Sequence, residues 1–203
     1  MIKRTSLEHI NLILKQNSNW NILDVGCGYS AHAAASTICD VQDLTSHYSN
    51  KNFIQLKEKK LPFKDNEFDF VVASHVIEHV DDVVFFINEL QRVSKKGYIE
   101  LPTKLEDNLV FENKNDHVWQ MDFDDVNNKL IISQRIQILE PVLTVSSIKK
   151  LNENFRKSLV LELIWEDKID YKIETDNKKQ TNKISIFHLF RKFISKKIRM
   201  LFS

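Results

Sequence analysis

Ile22-Leu23-Asp24-Val25-Gly26-Cys27-Gly28-Tyr29-Ser30-Ala31 is the stretch whose reading decides the fold. Its first residues form a short apolar run, expected as a buried strand over 22–25. Two glycines one residue apart then mark a tight turn at the strand's carboxyl end, since glycine enters left-handed backbone conformations without steric cost. The 203-residue chain holds only three glycines, so their pairing here is informative. In open α/β sheets ligands sit outside the carboxyl ends of the strands, where such a turn lets the backbone approach closely. Gly26 to Ala31 also satisfies the loose dinucleotide pattern G-x-G-x-x-A. Asp24 argues against a pyrophosphate, whose charge it would repel, and for a cationic amino-acid ligand.

On the amino-terminal side, Leu7, Ile10, Ile13 and Leu14 fall at helical spacing behind the capping residue Ser6, which predicts an amphipathic helix over 6–16. On the other side, short strands are expected at 36–39 and 53–56. A turn at 61–67 leads into a nearly continuous apolar strand at 68–73. Val83, Phe86, Ile87, Leu90 and Val93 then predict a helix over 80–94, with Asp81 and Asp82 in its first turn. Lys95, Lys96 and Gly97 read as its basic last turn and stop, followed by a strand at 98–101. Strands alternating with helices imply parallel crossovers and a sheet covered on both faces, so the class is α/β.

Residues 103–128 read as a long polar, irregular connection, the place to look for a substrate lid. Two further strands are expected at 130–139 and 159–165, with a helix at 146–155 between them. The chain thus divides into a domain over 1–174, a polar linker over 175–183 and a basic amphipathic helix over 184–203.

Lys plus Arg number 29 against 28 Asp plus Glu, so no global field argues for nucleic acid, and none is expected as a partner. The two cysteines, Cys27 and Cys39, supply neither a disulfide framework nor a four-thiolate zinc site. With no partner base in the sequence they read as small buried hydrophobes. No apolar run reaches spanning length, and Met1 to Lys15 lacks a signal-peptide core, so a cytoplasmic location is expected.

The run from Ile22 to Gly28 resembles motif I of class I S-adenosylmethionine-dependent methyltransferases, and the likeness continues. Leu61-Pro62-Phe63-Lys64-Asp65-Asn66-Glu67-Phe68-Asp69-Phe70-Val71-Val72 is similar to that family's turn into strand four. Ser74-His75-Val76-Ile77-Glu78-His79-Val80 resembles the segment after it in the small-molecule branch, the type 11 domain. Glu89-Leu90 with Arg92-Val93-Ser94-Lys95-Lys96-Gly97 is similar to the helix and strand-five entry. The motifs keep the family's order over residues 20–102.

The resemblance implies a single-domain, Rossmann-like, doubly wound and mostly parallel sheet, with S-adenosyl-L-methionine as cofactor. It places Asp24 and the backbone of Gly26, Cys27 and Gly28 at the methionine part. It also places an acid from the end of strand two on the ribose hydroxyls, where a carboxylate can accept from both members of a cis-diol. Asp40 is the first choice for that acid and Asp43 the second. Ser74 and His75 are expected beside the methionine and the sulfonium. Lys57 stands where the family often has an acid contacting adenine, so adenine recognition is assigned to backbone near Glu58 and Lys59. About ten residues separate Gly28 from the next strand, so the first crossover helix must be very short or missing.

Methyl transfer needs an in-line acceptor held at attack distance and, for a hydroxyl or amine, a base. His75, His79 and His117 are the candidates, because imidazole titrates near neutrality. Glu78 with His79, Asp81 and Asp82, or His117 with Asp122, Asp124 and Asp125, offer oxygen and nitrogen ligands, but no spacing among them is diagnostic and no metal is expected. From Lys183 onward six basic residues and no acidic one are interleaved with Phe187, Leu189, Phe190, Phe193, Ile194, Ile198, Leu201 and Phe202. That pattern suits an anionic membrane surface or a terminal helix docked on the domain or on a second copy. The reading is a methyltransferase acting on a small polar acceptor, such as a sugar of a surface glycan or a lipid-linked precursor. Its rivals are a non-catalytic S-adenosylmethionine-binding module and an NAD-dependent oxidoreductase.

Overall fold

The computed structural model describes residues 1–175 and 183–201. Along the chain run β1 (Ile2–Arg4), α1 (Leu7–Gln16), β2 (Ile22–Val25), β3 (Thr37–Asp40), β4 (Asn52–Gln55) and β5 (Phe70–Ser74). A 3-10 turn (Ile77–His79) precedes α2 (Val83–Val93), β6 (Lys96–Pro102), α3 (Lys104–Leu109) and α4 (Asn113–Asp116). Then come β7 (Trp119–Asp124), β8 (Lys129–Gln134), α5 (Val145–Leu159), β9 (Val160–Glu166), β10 (Tyr171–Glu174) and α6 (Ile186–Leu201). Residues 176–182 of the expected linker, and Phe202, lie outside the described residues.

Seven strands form one sheet in the order β1-β9-β6-β5-β2-β3-β4. β2, β3, β4, β5 and β6 are mutually parallel, while β9 runs antiparallel to both β6 and β1. This is the Rossmann-like, mostly parallel sheet that the sequence implies. Both flanks of β2 carry parallel neighbours, so its carboxyl end opens at the middle of the sheet, where α/β folds place their ligands.

One face is covered by α1, whose Ile10 and Leu14 pack with Ile22, Ile38, Phe70, Val72 and Tyr98. The Ser6 side chain accepts the His9 N–H and starts that helix where expected. The other face is covered by α2, whose buried Val83, Phe86, Ile87, Leu90 and Val93 join the larger core. α2 begins at Val83 rather than Val80 because the Asp82 carboxylate caps it through the Phe85 N–H, 2.9 Å away, leaving residues 77–79 to close their own turn.

No helix joins β2 to β3, as the short spacing required. Three side chains satisfy the turn's backbone instead. Asp24 accepts the His32 N–H at 2.7 Å, Tyr48 accepts from Ala31 and donates to Gly28 O, and Lys51 Nζ donates to the carbonyls of His32, Ala33 and Ala35.

Two expectations are corrected here. Gly97 does not stop a helix: α2 ends at Val93, and Gly97 lies inside β6. A Cβ on it would come within 2.0 Å of the Trp165 ring on β9, so the residue is glycine to admit that ring. The segment 103–128 is not irregular either. It folds into α3, α4 and β7, and β7 joins β8 and β10 in a second sheet of order β10-β8-β7. Met121, Phe123, Leu130 and Ile132 share one apolar core with the main sheet.

At the start of α6, Ile184 exchanges backbone hydrogen bonds with Ile138 and Glu140, and the Ile186 N–H donates to the Glu140 carboxylate. Phe187, Phe190 and Phe193 remain 76%, 61% and 55% exposed. No helix among the described residues is long and apolar enough to cross a membrane.

Candidate active site

A cavity of about 760 Å³ lies at the carboxyl ends of β2, β3 and β5. The glycine turn and Asp40 bound it on one side, Leu56 to Lys59 on a second, and His75 to Asp82 on a third. Leu61 in its floor is pinned by α2: Glu89 accepts the Leu61 N–H at 2.8 Å, and Arg92 donates to the carbonyls of Leu61 and Phe63 while pairing with Glu89. The spacing Leu61 to Phe63 and Glu89 to Arg92 in the sequence is this clamp.

At the turn, Gly26 and Gly28 have φ of +68° and +48°. The N–H groups of Gly26 and Cys27 donate to Cys39 O, and the Gly28 N–H donates to Asp40 Oδ2 at 2.9 Å. A Cβ on Gly26 would strike Val76 at 2.4 Å, whereas one on Gly28 would meet nothing within 4 Å. Gly26 is therefore fixed by packing, and Gly28 by its backbone beside open cavity. The other Asp40 oxygen accepts the Gln42 N–H at 2.9 Å, which leaves each oxygen a further lone pair for a diol. Asp43 is elsewhere: it is exposed, accepts from the N–H and hydroxyl of Thr45, and stays off the cavity wall.

Asp24 is 4% exposed and sits beneath the turn, not on the wall. Burial pushes its pKa up to about 6, against the His32 N–H and the Lys51 charge. Cys27 is buried, and burial with the Asp24 and Asp40 charges pushes its thiol up to about 12; Cys39 is pushed up as well. Neither thiol is a nucleophile at neutral pH. Glu58 and Lys59 line the cavity as expected, with Lys59 Nζ 3.4 Å from Asp81. Ser74 ends β5 partly buried and does not line the cavity.

His75 lines the cavity with φ of +54°, a conformation costly for a residue with a Cβ and one that concentrates at functional sites. Its N–H donates to Glu100 O. Its Nδ1 lies 3.3 Å from Glu78 and its Nε2 3.3 Å from Glu100. Burial opposes the imidazolium, but the two carboxylates outweigh it and raise its pKa to about 10. Held between two carboxylates, His75 is better suited to the part of a cation than to that of a base.

Glu100 anchors this cluster. Burial works against its charge, yet His75, Tyr98 and Arg156 hold its pKa at about 2. Arg156 also pairs with Glu162, and the Tyr98 hydroxyl lies 2.7 Å from Glu100 and 3.0 Å from Glu162. Sequence reasoning missed Glu100, although a charge inside the apolar run 98–101 is the signal for a paired, buried group. It also missed Glu106, whose pKa burial raises to about 7, and Asp107.

His79 lines the cavity, and His117 packs against it with ring centroids 4.6 Å apart at 89°. The 103–128 segment makes this contact. The Val118 N–H donates to Glu78 O, and Trp119 Nε1 donates to Val80 O, both at 2.8 Å. His79 Nδ1 lies 2.9 Å from Asp116 O and His117 Nδ1 lies 2.6 Å from Asp107 Oδ1.

A family model for a methyltransferase domain matches residues 23–99. An uncharacterized protein of Methanocaldococcus jannaschii is 34% identical over 116 residues, 52% of this chain and 51% of that protein. A demethylmenaquinone methyltransferase of Staphylococcus carnosus is 36% identical over 56 residues, 28% of this chain and 23% of that protein. The chain thus spans about half the length of the first curated relative and a quarter or less of the second. Among solved structures, a SAM-dependent methyltransferase of Aquifex aeolicus is 16% identical with a TM-score of 0.42, over 76% of this chain and 87% of that one. PH0226 of Pyrococcus horikoshii is 17% identical with a TM-score of 0.43, over 81% and 93%. The glycine turn, Asp40, the Leu56 to Lys59 wall and His75 all fall inside the segment that matches the methyltransferase-domain model, and they stand on a Rossmann-like sheet.

Proposed function

We propose that the protein transfers the methyl group of S-adenosylmethionine to a small polar acceptor bound in the cavity between the glycine turn and His79. The supporting observation is the cradle itself: a Cβ on Gly28 would point into open space, and Asp40 stands beside it with lone pairs to spare. When bound, the cofactor supplies an electrophilic methyl on a sulfonium and leaves as S-adenosylhomocysteine.

The chain's own residues divide the remaining work. Asp24, ionised at neutral pH, gives the turn a negative potential suited to an ammonium group, and Gly26, Cys27 and Gly28 offer close backbone. Asp40 is assigned to the ribose hydroxyls, and Asp43 is released from that role. The backbone near Glu58 and Lys59 takes the adenine, and His75 takes the methionine side. The His75 cation is matched to a carboxylate. His79 is the base assigned to the acceptor: an Nδ1 that donates to Asp116 O leaves an Nε2 lone pair at the cavity. His117 supports it ring to edge.

The acceptor class we favour is a sugar of a surface glycan or a lipid-linked precursor, which α6 would bring within reach of an anionic membrane surface on the cytoplasmic side. α6 carries an exposed apolar face of Phe187, Phe190, Ile194 and Ile198 beside Arg191 and Arg199. Co-sedimentation of the full chain with anionic vesicles, weakening with salt, is expected. No sedimentation would remove the membrane and lipid-precursor part.

Calorimetric titration with S-adenosylhomocysteine and with NAD, followed by labelled-methyl turnover against metabolite extracts, tests the whole reading. Binding of the first and not the second, with label in a small molecule, is expected. Binding without any turnover would leave a non-catalytic module, and NAD binding alone an oxidoreductase.

A further inference from the structure

Glu78, His79 and His117 each offer one ligand atom, and the three atoms lie within 4.8 Å of one another. The other acids considered with them in the sequence are accounted for locally. Asp122 pairs with Lys104, Asp124 holds the turn at Val126 and Asn127, Asp125 pairs with Arg4, Asp82 caps α2, and Asp81 faces Lys59.

Glu78 is accounted for on one oxygen only, by the His75 cation. Its side chain is fully buried, and neither carboxylate oxygen accepts a hydrogen bond; the nearest cation is His75 Nδ1, 3.3 Å from Oε1. A buried carboxylate in that condition calls for a further partner.

The two histidines are oriented in a way that base chemistry alone does not require of both. A backbone carbonyl only accepts, so His79 Nδ1 carries the proton that Asp116 O receives, and Nε2 carries the lone pair. His117 Nδ1 donates to Asp107 Oδ1, and Asp107 is itself held by Arg135 at 2.9 Å and Gln120 at 2.9 Å. Metal-ligating histidines have this second contact, in which the outer nitrogen donates to a carbonyl or carboxylate and fixes tautomer and ring direction.

We propose that Glu78, His79 and His117 bind one divalent first-row transition cation of the zinc type, through a carboxylate oxygen and the two Nε2 atoms. Two imidazoles and one carboxylate favour such a cation over magnesium or calcium, which take oxygen ligands. A tetrahedron with ligands ~2.0–2.1 Å from its centre has an edge of ~3.3 Å, which sets how closely the three atoms must converge. Exposed His79 is the side chain that adjusts to it. Three protein ligands leave a fourth position, and because His79 lines the cavity that position takes a water or the acceptor's heteroatom. With the cation bound, His79 Nε2 is a ligand and no longer a base, and the cation takes over by making the acceptor's proton easier to lose to solvent. Cation binding does not depend on the methyl-transfer reading.

The full chain, stripped with a chelator, is titrated with Zn²⁺ by calorimetry and with Co²⁺ by visible absorption. One saturating equivalent and a Co²⁺ ligand-field band are expected. Glu78→Gln, His79→Gln and His117→Gln each weaken binding ~10-fold or more, while His188→Gln, on exposed α6, leaves it unchanged. His79 is exposed, so His79→Gln carries the test even if Glu78→Gln fails to fold. Absence of one-equivalent binding in the wild type, or unchanged affinity in both His79→Gln and His117→Gln, overturns the site. S-adenosylhomocysteine binding to the same stripped chain is read separately, so failure of the metal site and failure of the cofactor reading are distinguishable.

Discussion

Along the glycine turn the cavity is bounded by backbone, held in shape by N–H donors to Cys39 O and to the Asp40 carboxylate. At the exit of β5 it is bounded by His75 and His79, which are backed by ionisable side chains from three stretches of chain: Glu78, Glu100 and His117. A wall of backbone discriminates by shape and tolerates changes in pH. A wall of paired charges depends on every partner, because removing one leaves the buried Glu78 or Glu100 behind it uncompensated. The first suits holding a constant cofactor, the second suits positioning a specific acceptor.

The largest effect is expected from Gly26→Val. It combines φ of +68° with a Cβ 2.4 Å from Val76, so S-adenosylhomocysteine binding should vanish and the melting temperature drop. Gly28→Val should weaken binding with a smaller loss of stability, its side chain meeting only the cavity. Equal melting temperatures in these two variants would contradict the distinction between a packed and an open glycine.

Glu100→Gln is expected to cost about 3 kcal/mol by leaving Arg156 and His75 short of a partner. In a domain of this size that is roughly 6–12 °C in melting temperature. Cofactor affinity should change less than stability does. The opposite ranking would mean that the charged wall, not the turn, holds the cofactor.

Asp40→Asn should reduce S-adenosylhomocysteine affinity ~10-fold, equivalent to about 1.4 kcal/mol, and Asp43→Asn should leave it unchanged. Calorimetry of the pair checks it, and equal losses would spoil the assignment.

The smallest effect is a pH dependence at Asp24. The folded chain keeps this proton up to about pH 6, against the ordinary carboxyl value of 3.8. Across that window the folded state binds more protons than the unfolded one, so the Asp24 contribution to stability falls as pH rises. Affinity for a ligand bearing an ammonium should rise over the same window, as the carboxylate ionises. Asp24→Asn should flatten both trends, measured by melting and calorimetry between pH 4 and 7.

How much of this was legible in the sequence follows the same divide. β2 and its turn, α1, α2, and the order of β2 to β6 were readable because each is signalled within a dozen residues, by periodicity, a cap or a glycine. The place of Asp40 on the cavity wall was readable because it ends an apolar strand. What depends on distant chain was not. β1 is three residues that pair with β9, Ile2 lying opposite Trp165. Gly97 takes its meaning from that same tryptophan. α3, α4 and β7 are too short for their periodicity to stand out from a polar loop. Glu100 acquires its role only when His75, Arg156 and Tyr98 converge on it.

The decisive measurement is calorimetric titration of the full chain with S-adenosylhomocysteine, alongside Gly28→Val and Asp40→Asn. One equivalent bound by the wild type, with both variants weakened ~10-fold or more, equivalent to about 1.4 kcal/mol or more, is expected from a cofactor seated between the glycine turn and Asp40. No binding by the wild type, or undiminished affinity in both folded variants, would contradict it.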